Sequence, residues 1–312
     1  MQFITEEQFV KFSIPYYIVI ILAEIVLSNY HKQELYTLKD TMQNLSLMVV
    51  NMLIDLSFRI LYIPVLMFLY EHRWFQIDHV WIYWIGLLLA EDFLYYWLHR
   101  TDHACRLFWA CHATHHSSSK YNLTVGFRST VFEPIYRFVF FAPLPLMGFE
   151  VADILLMYAM TQIWGILVHT QRINKLGVLE HILVTPSHHR VHHASNIKYL
   201  DRNMGMFLIV WDKLFGTFQK ELTAGQYQPI KYGLTTEIDA RNPLNLVFHE
   251  WSAIWKDVSQ KGLTLSQRCK YIFGPPGWSH DGSRRTSEEL RALEECGAPP
   301  SVPSKAVLED LW

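Results

Sequence analysis

Residues 81–116 read WIYWIGLLLAEDFLYYWLHRTDHACRLFWACHATHH, and the fold turns on this stretch. It begins as an apolar run, which continues from Val80 to Leu98 and closes on the acidic pair Glu91-Asp92 and the rings of Phe93, Tyr95, Tyr96 and Trp97. Five histidines follow, His99, His103, His112, His115 and His116. At about 100° per residue, Asp92, Tyr96, His99 and His103 fall on one narrow stripe of a helix. Residues three or four apart share a helix face, so H-x3-H and H-x2-H-H can each aim imidazoles at one point.

The second spacing returns downstream in His188-His189-Arg190-Val191-His192-His193. Of the sixteen histidines in the chain, eleven lie between His99 and His193, whereas His31, His72, His79, His249 and His280 are scattered. Imidazole suits iron, zinc, copper or nickel. So many clustered rings exceed the needs of one ion and imply two. His169 ends a further apolar segment and is the expected ninth ligand; His188 sits just outside the repeated spacing, and His181 reads as structural. A carboxylate one or two turns from a ligating histidine can accept its free ring N–H. An ionisable residue at membrane depth is itself a functional candidate, so Asp92 is assigned that role.

Outward from this centre the chain is apolar. Half of its 312 residues are hydrophobic, 15% are aromatic and 18% charged, below the roughly 25% charged of a typical globular chain. Earlier apolar runs cover about Phe12–Leu27 and Leu45–Tyr70, the latter interrupted by Asp55 and Arg59; later ones cover about Val131–Met147 and Val151–Val168, parted by Gly148-Phe149-Glu150. A span needs roughly 20 residues. The first three runs qualify as spans, while Pro134, Pro143 and Pro145 break the fourth, so residues 131–169 are expected to form a full or re-entrant hairpin. Glu6 and Glu7 replace a basic n-region and no small-residue cleavage site follows, so the first run is expected to be a retained helix.

The resulting expectation is an all-α, multi-pass membrane bundle with a cytosolic helical cap that holds the di-metal site. Its parts are transmembrane helices at 1–98, a histidine-cluster catalytic region at 99–218, and a cytosolic segment and tail at 219–312. With His99 in the cytosol, Lys32 and Lys39 are cytosolic too, and Arg73 and the Gly148 turn face outward, in accord with the positive-inside rule. Thr286-Ser287-Glu288-Glu289 predicts a capping box opening a short helix to about Cys296, and Ala298–Trp312 reads as a flexible end. The four cysteines (Cys105, Cys111, Cys269, Cys296) make no zinc-type pair and no disulfide framework. A net charge of −2 gives no reason to expect a nucleic-acid partner.

The order H-x3-H, H-x2-H-H, a lone His, then H-x2-H-H resembles the fatty acid hydroxylase/sterol desaturase superfamily over about Ile82–Phe218. The resemblance implies an integral membrane di-iron enzyme that uses O2 to attack C–H bonds of lipids. It places His99, His103, His112, His115, His116, His189, His192 and His193 on ligand positions. Trp211-Asp212-Lys213-Leu214-Phe215-Gly216-Thr217 matches a segment that follows the third cluster in that family. Tyr121-Asn122-Leu123-Thr124 after His115-His116-Ser117-Ser118, Thr185-Pro186-Ser187, Lys231-Tyr232-Gly233-Leu234 and Gly274-Pro275-Pro276-Gly277-Trp278 resemble the ether-lipid (alkylglycerol) monooxygenase branch, which implies tetrahydrobiopterin as reductant. Gln171 departs from the acidic residue expected in that branch. Tyr95, Tyr96, Asn122 and Trp164 are the expected neighbours of substrate or cofactor.

No GxGxxG nucleotide fingerprint is present, so electrons are expected from a donor protein or a bound pterin. The placement implied is an integral membrane enzyme, of the endoplasmic reticulum in a eukaryote or the inner membrane in a bacterium, with its site on the cytoplasmic side. A sterol or fatty acyl desaturase/hydroxylase uses the same metals. A membrane zinc hydrolase or metal carrier is more distant, because a hydrolase of that kind would carry a carboxylate base as in H-E-x-x-H, and none is present.

Overall fold

The computed structural model describes residues 4–236, 238 and 242–297. All regular elements among them are helical, and strand-like pairing is confined to two isolated bridges, Leu183 with Leu208 and Ala194 with Tyr232.

Two long helices open the chain. Helix α1, Glu6–Tyr30, begins at a capping box between Thr5 and Gln8 with Glu6 and Glu7 in its first turn, where negative charge suits the helix dipole. Helix α2, Leu38–Glu71, begins at Thr37. At 1.5 Å per residue they extend about 38 and 51 Å, against roughly 30 Å of hydrocarbon. Among the described residues these are the two helices long and apolar enough to cross a membrane. Their apolar side chains face outward, with Tyr16, Val19, Val26, Ile60, Leu61 and Phe68 all exposed.

The polar residues that interrupt α2 do not break it. Arg59 donates to Asp55 at 2.9 Å and in two bonds to Glu6 of α1 at 2.7 Å, and Arg137 reaches Asp55 at 2.7 Å. These ion pairs join α1, α2 and the hairpin in one knot. Pairing is what makes such charges tolerable in an apolar bundle.

Helix α3, Val80–Ala104, continues past the predicted end of its apolar run and carries both His99 and His103. Glu91 and Asp92 are fully buried within the protein. Helix α4, Arg106–His116, packs back on α3 and holds the second cluster. The hairpin is made of short pieces: α5, Glu133–Phe141; α6, Pro143–Leu146; and α7, Val151–Leu167. Pro143, which lacks an N–H, starts a new helix rather than extending α5. At 17 residues, α7 reaches only about 26 Å. The Gly148 turn requires glycine, since φ is +101° and a Cβ would sit 2.4 Å from the Phe75 carbonyl oxygen. The bundle core of Leu87, Tyr95, Leu98, Phe141, Leu144 and Phe149 lies between α3 and the hairpin.

Helices α8, Pro186–His192, and α9, Val210–Leu214, come after the hairpin; α10, Pro243–Val258, α11, Leu265–Phe273, and α12, Ser287–Glu295, follow. The C-terminal segment buttresses the second histidine cluster. Buried Arg106 of α4 reaches Glu250 and Asp257 of α10, each at 2.6 Å, and Thr114 donates to the Leu246 carbonyl at 3.0 Å. The capping box expected at Thr286 and Glu289 opens α12. The tail expected to be flexible, 298–312, lies outside the described residues. All four cysteines are free thiols.

Candidate metal centre

Nine imidazoles from α3, α4, α8 and the end of α7 come together. His99, His103, His112, His116 and His192 form one group and His115, His169, His189 and His193 another; within each, the candidate ligand atoms all lie within 4.8 Å of one another. In the first, the His99 and His112 Nε2 atoms are 3.1 Å apart. In the second, the Nε2 atoms of His169, His189 and His193 form a triangle with sides of 3.0–3.2 Å. The groups abut where His116 stacks on His193, with centroids 4.4 Å apart.

The sequence reading aims each cluster at one point; the structure divides both H-x2-H-H motifs between the two groups. His112 and His116 stay together while His115 crosses over, and His189 and His193 stay together while His192 crosses over. Residues four apart lie nearly in line on a helix, whereas adjacent residues diverge by about 100°. Each short helix therefore serves both groups.

The outer nitrogens decide whether the rings suit a metal. Nδ1 of His99 donates to the Met204 carbonyl (2.8 Å), that of His192 to Arg202 (3.0 Å), that of His115 to Arg128 (2.9 Å) and that of His169 to Gly165 (2.7 Å). Nδ1 of His103 faces the Asp201 carboxylate at 3.1 Å. A carbonyl can only accept, so the proton sits on Nδ1 and Nε2 presents a bare lone pair inward. The inward Nε2 atoms of His103, His116 and His192 are buried and have no hydrogen-bond partner. Buried polar atoms are normally satisfied, and lone pairs converging in this way fit metal ions. Burial, and then repulsion from neighbouring rings, holds His112, His116, His189, His192 and His193 far below the ordinary histidine range. Burial pushes His115 down to about 4. The rings are thus neutral near pH 7, the form that ligates.

The structure distributes the other sequence-predicted residues differently. Asp92 was expected to orient a histidine; instead it accepts from the Phe207 and Leu208 amides and Trp211 Nε1 at 2.9–3.0 Å. Tyr96 hydrogen-bonds Thr217 at 3.0 Å, away from the histidines. Asn122 caps the short 3-10 helix Leu123–Phe127 and donates to the Leu35 carbonyl at 2.7 Å. Trp164 donates to the Val184 carbonyl at 2.7 Å. His188 lies outside both groups, 3.4 Å from Glu180, and His181 is exposed. Of the aromatic candidates Tyr95 lines a cavity beside the histidines.

The residues that do hold the rings went unnoticed in the sequence. Asp201 and the carbonyls of Arg202 and Met204 lie on one loop, kinked by left-handed backbone at Asp201 (φ 52°) and Asn203 (φ 56°). Asp212 fastens that loop, accepting from the Met204 amide at 2.6 Å, the Gly205 amide at 2.8 Å and Thr217 Oγ1 at 2.6 Å. The Trp211–Thr217 segment was thus legible as a motif but not as a brace. Asp102 lies 3.7 Å from His112 Nδ1 and accepts from Tyr136 at 2.8 Å. Its place inside H-R-T-D-H was the available signal.

The model of the fatty acid hydroxylase family matches residues 84–217. The chain is similar to alkylglycerol monooxygenase of Homo sapiens, 35% identical over 96% of this chain and 67% of that protein. The enzyme of that name from Xenopus tropicalis is 34% identical over 86% of this chain and 59% of its own length, and that from Danio rerio 33% identical over 87% and 60%. The chain thus spans about two thirds or less of these relatives. No solved structure matches it. With its matched segment running through α3, both H-x2-H-H clusters and the brace, the chain belongs to the fatty acid hydroxylase family.

Proposed function

We propose that this chain is a multi-pass membrane enzyme that uses two histidine-bound iron ions and O2 to oxidise a C–H bond of a lipid, an ether lipid of the alkylglycerol type. The observation that carries the reading is the convergence of nine imidazoles, eight buried and His115 partly so, in two groups, with the outer nitrogens of His99, His103, His115, His169 and His192 tied down. His99, His103, His112, His116 and His192 would hold one ion, and His115, His169, His189 and His193 the other. Bound iron would supply the activation of O2.

The protein's part is to fix the rings and exclude water. Asp201 and the Arg202 and Met204 carbonyls orient three rings of the first group; the Gly165 and Arg128 carbonyls orient two of the second. The exposed apolar faces of α1 and α2 support residence in the bilayer, with the bundle at 1–98, the catalytic region at 99–218 and the cap continuing through 219–312. Lys32, Lys39 and the histidines share the cytoplasmic side, of the endoplasmic reticulum or of a bacterial inner membrane. Hydroxylation at the ether carbon gives a hemiacetal that collapses to an aldehyde and glycerol. One oxygen atom of O2 enters the product and the other leaves as water, with two electrons supplied by tetrahydrobiopterin or a donor protein.

The test is turnover of 1-O-hexadecylglycerol by membranes containing the protein, with O2 and tetrahydrobiopterin, beside His192→Ala. Aldehyde formed by the unmutated protein alone, and only with both additions, is the expected result. Its absence removes the ether-lipid assignment; sterols and fatty acyl lipids are then searched for products heavier by one oxygen or lighter by two hydrogens.

A further inference from the structure

A cavity of about 100 Å³ adjoins both histidine groups, bounded by α2, α3, α5 and α7 and reaching His99, His112, His115, His169 and His189. A hydrocarbon tail would be met best by an apolar wall. Here the wall carries Asn51, Thr130, Glu133, Arg137, Tyr158 and Gln162, although Asn51 stands inside the apolar run of α2. Polar groups in such a place are costly unless something satisfies them.

Most of the wall is already satisfied from within. Arg137 binds Asp55 at 2.7 Å and Tyr158 at 2.8 Å and lies 3.5 Å from Glu133; Glu133 accepts from Thr130; and Asn51 donates to the Thr130 carbonyl at 2.7 Å. The exception is Gln162, whose Nε2 is buried without a partner. Arg137, the cation of the wall, is held by Asp55 and Glu133 and has no call to meet a phosphate. The wall therefore offers hydrogen bonds without a free positive charge.

We propose that this cavity binds the uncharged polyol head of a single-chain lipid, head inward, with Gln162 donating to one of its hydroxyls. The inference rests on the lipid-oxidation reading and sharpens it. Head-first entry places the carbons next to the head group, rather than the middle of the chain, beside the histidines. Gln162 is then a specificity-determining residue.

The experiment reads binding, without O2 or reductant. Detergent-solubilised, iron-loaded protein is titrated with 1-O-hexadecylglycerol, hexadecyl methyl ether and 1-O-hexadecylglycerol 3-phosphate, followed by calorimetry. The alkylglycerol is expected to bind roughly tenfold more tightly than either, about the worth of one or two buried hydrogen bonds. Gln162→Met, of similar shape, should bring its affinity to that of the methyl ether while leaving metal content unchanged. If Gln162→Met does not fold, Gln162→Leu takes its place. Equal affinity for the alkylglycerol and the methyl ether, tighter binding of the phosphate, or an undiminished preference in Gln162→Met each overturns the proposal. Because no turnover is involved, a protein that prefers the polyol head yet oxidises no lipid upholds the cavity assignment and defeats the oxygenase reading alone.

Discussion

The two histidine groups use the same ligand chemistry but are held in different ways. In the five-histidine group, three rings are anchored to the 201–204 loop, about 100 residues from His99 and His103 in sequence, and that loop is shaped by Asp212. In the four-histidine group, His169 is anchored one turn back on its own helix, at Gly165, and His115 at the nearby Arg128 carbonyl. His99 and His103 of the first group depend on a brace brought to them by the tertiary fold, whereas the anchored rings of the second, His169 and His115, rely on carbonyls close by in sequence. Two ions in such a centre should therefore be separable by substitutions that touch no ligand.

The largest effects should come from the ligands themselves. His192→Ala and His189→Ala are each expected to cut turnover by about 100-fold or more, since even outer partners of ligands are worth 10–100-fold. Each should lower the metal content from two ions towards one, measured by elemental analysis of purified protein. If either variant retains two ions, the partition into groups is wrong.

Acid should act on both groups alike, which makes it the control on the comparison. His112, His116 and His192 of one group and His115, His189 and His193 of the other titrate below their unfolded value of about 6.5, so the unfolded chain takes up protons first. The stability they contribute is present above that pH and declines as pH falls towards the folded values. The thermal midpoint of metal-free protein is expected to drop steadily from pH 7 to pH 5. A midpoint that rises on acidification would contradict neutral, buried rings.

A smaller and selective effect is expected from the brace. Asp212→Ala should weaken metal binding about 10–100-fold at the five-histidine group while the other keeps its ion, as followed by competition with a chelator. Loss of both ions in step would mean that Asp212 supports the whole cap and not one group. Smallest should be Asp201→Ala, which removes the outer partner of His103 alone. It is expected to cost about tenfold in affinity at that group, with Asp201→Asn restoring part of it.

Much of this was readable in the chain. The apolar runs gave α1 to α3, because helix length and side-chain polarity are properties of local sequence, and the H-x3-H and H-x2-H-H spacings gave eight of the nine histidines that gather in one place, His169 coming from the end of an apolar run. Other readings failed for an identifiable reason. Asp92 shares a helical stripe with His99, yet once buried its carboxylate took the nearest amides, and those belong to residues 207 and 208. Asn122 was expected beside substrate or cofactor, but its side chain is spent on a cap and on the Leu35 carbonyl.

By itself, then, the sequence determined which side chains could ligate and which helices would carry them, since a periodicity of 3.6 residues is set within a single turn of backbone. Only the tertiary structure decided how those ligands divide. His115 leaves His112 and His116, and His192 leaves His189 and His193, because adjacent positions on a helix point about 100° apart and the partner for each direction comes from another element. Nor could spacing reveal Asp201 and Met204 as the partners of His103 and His99, because a hydrogen bond between residues about a hundred positions apart exists only after the chain has closed upon itself.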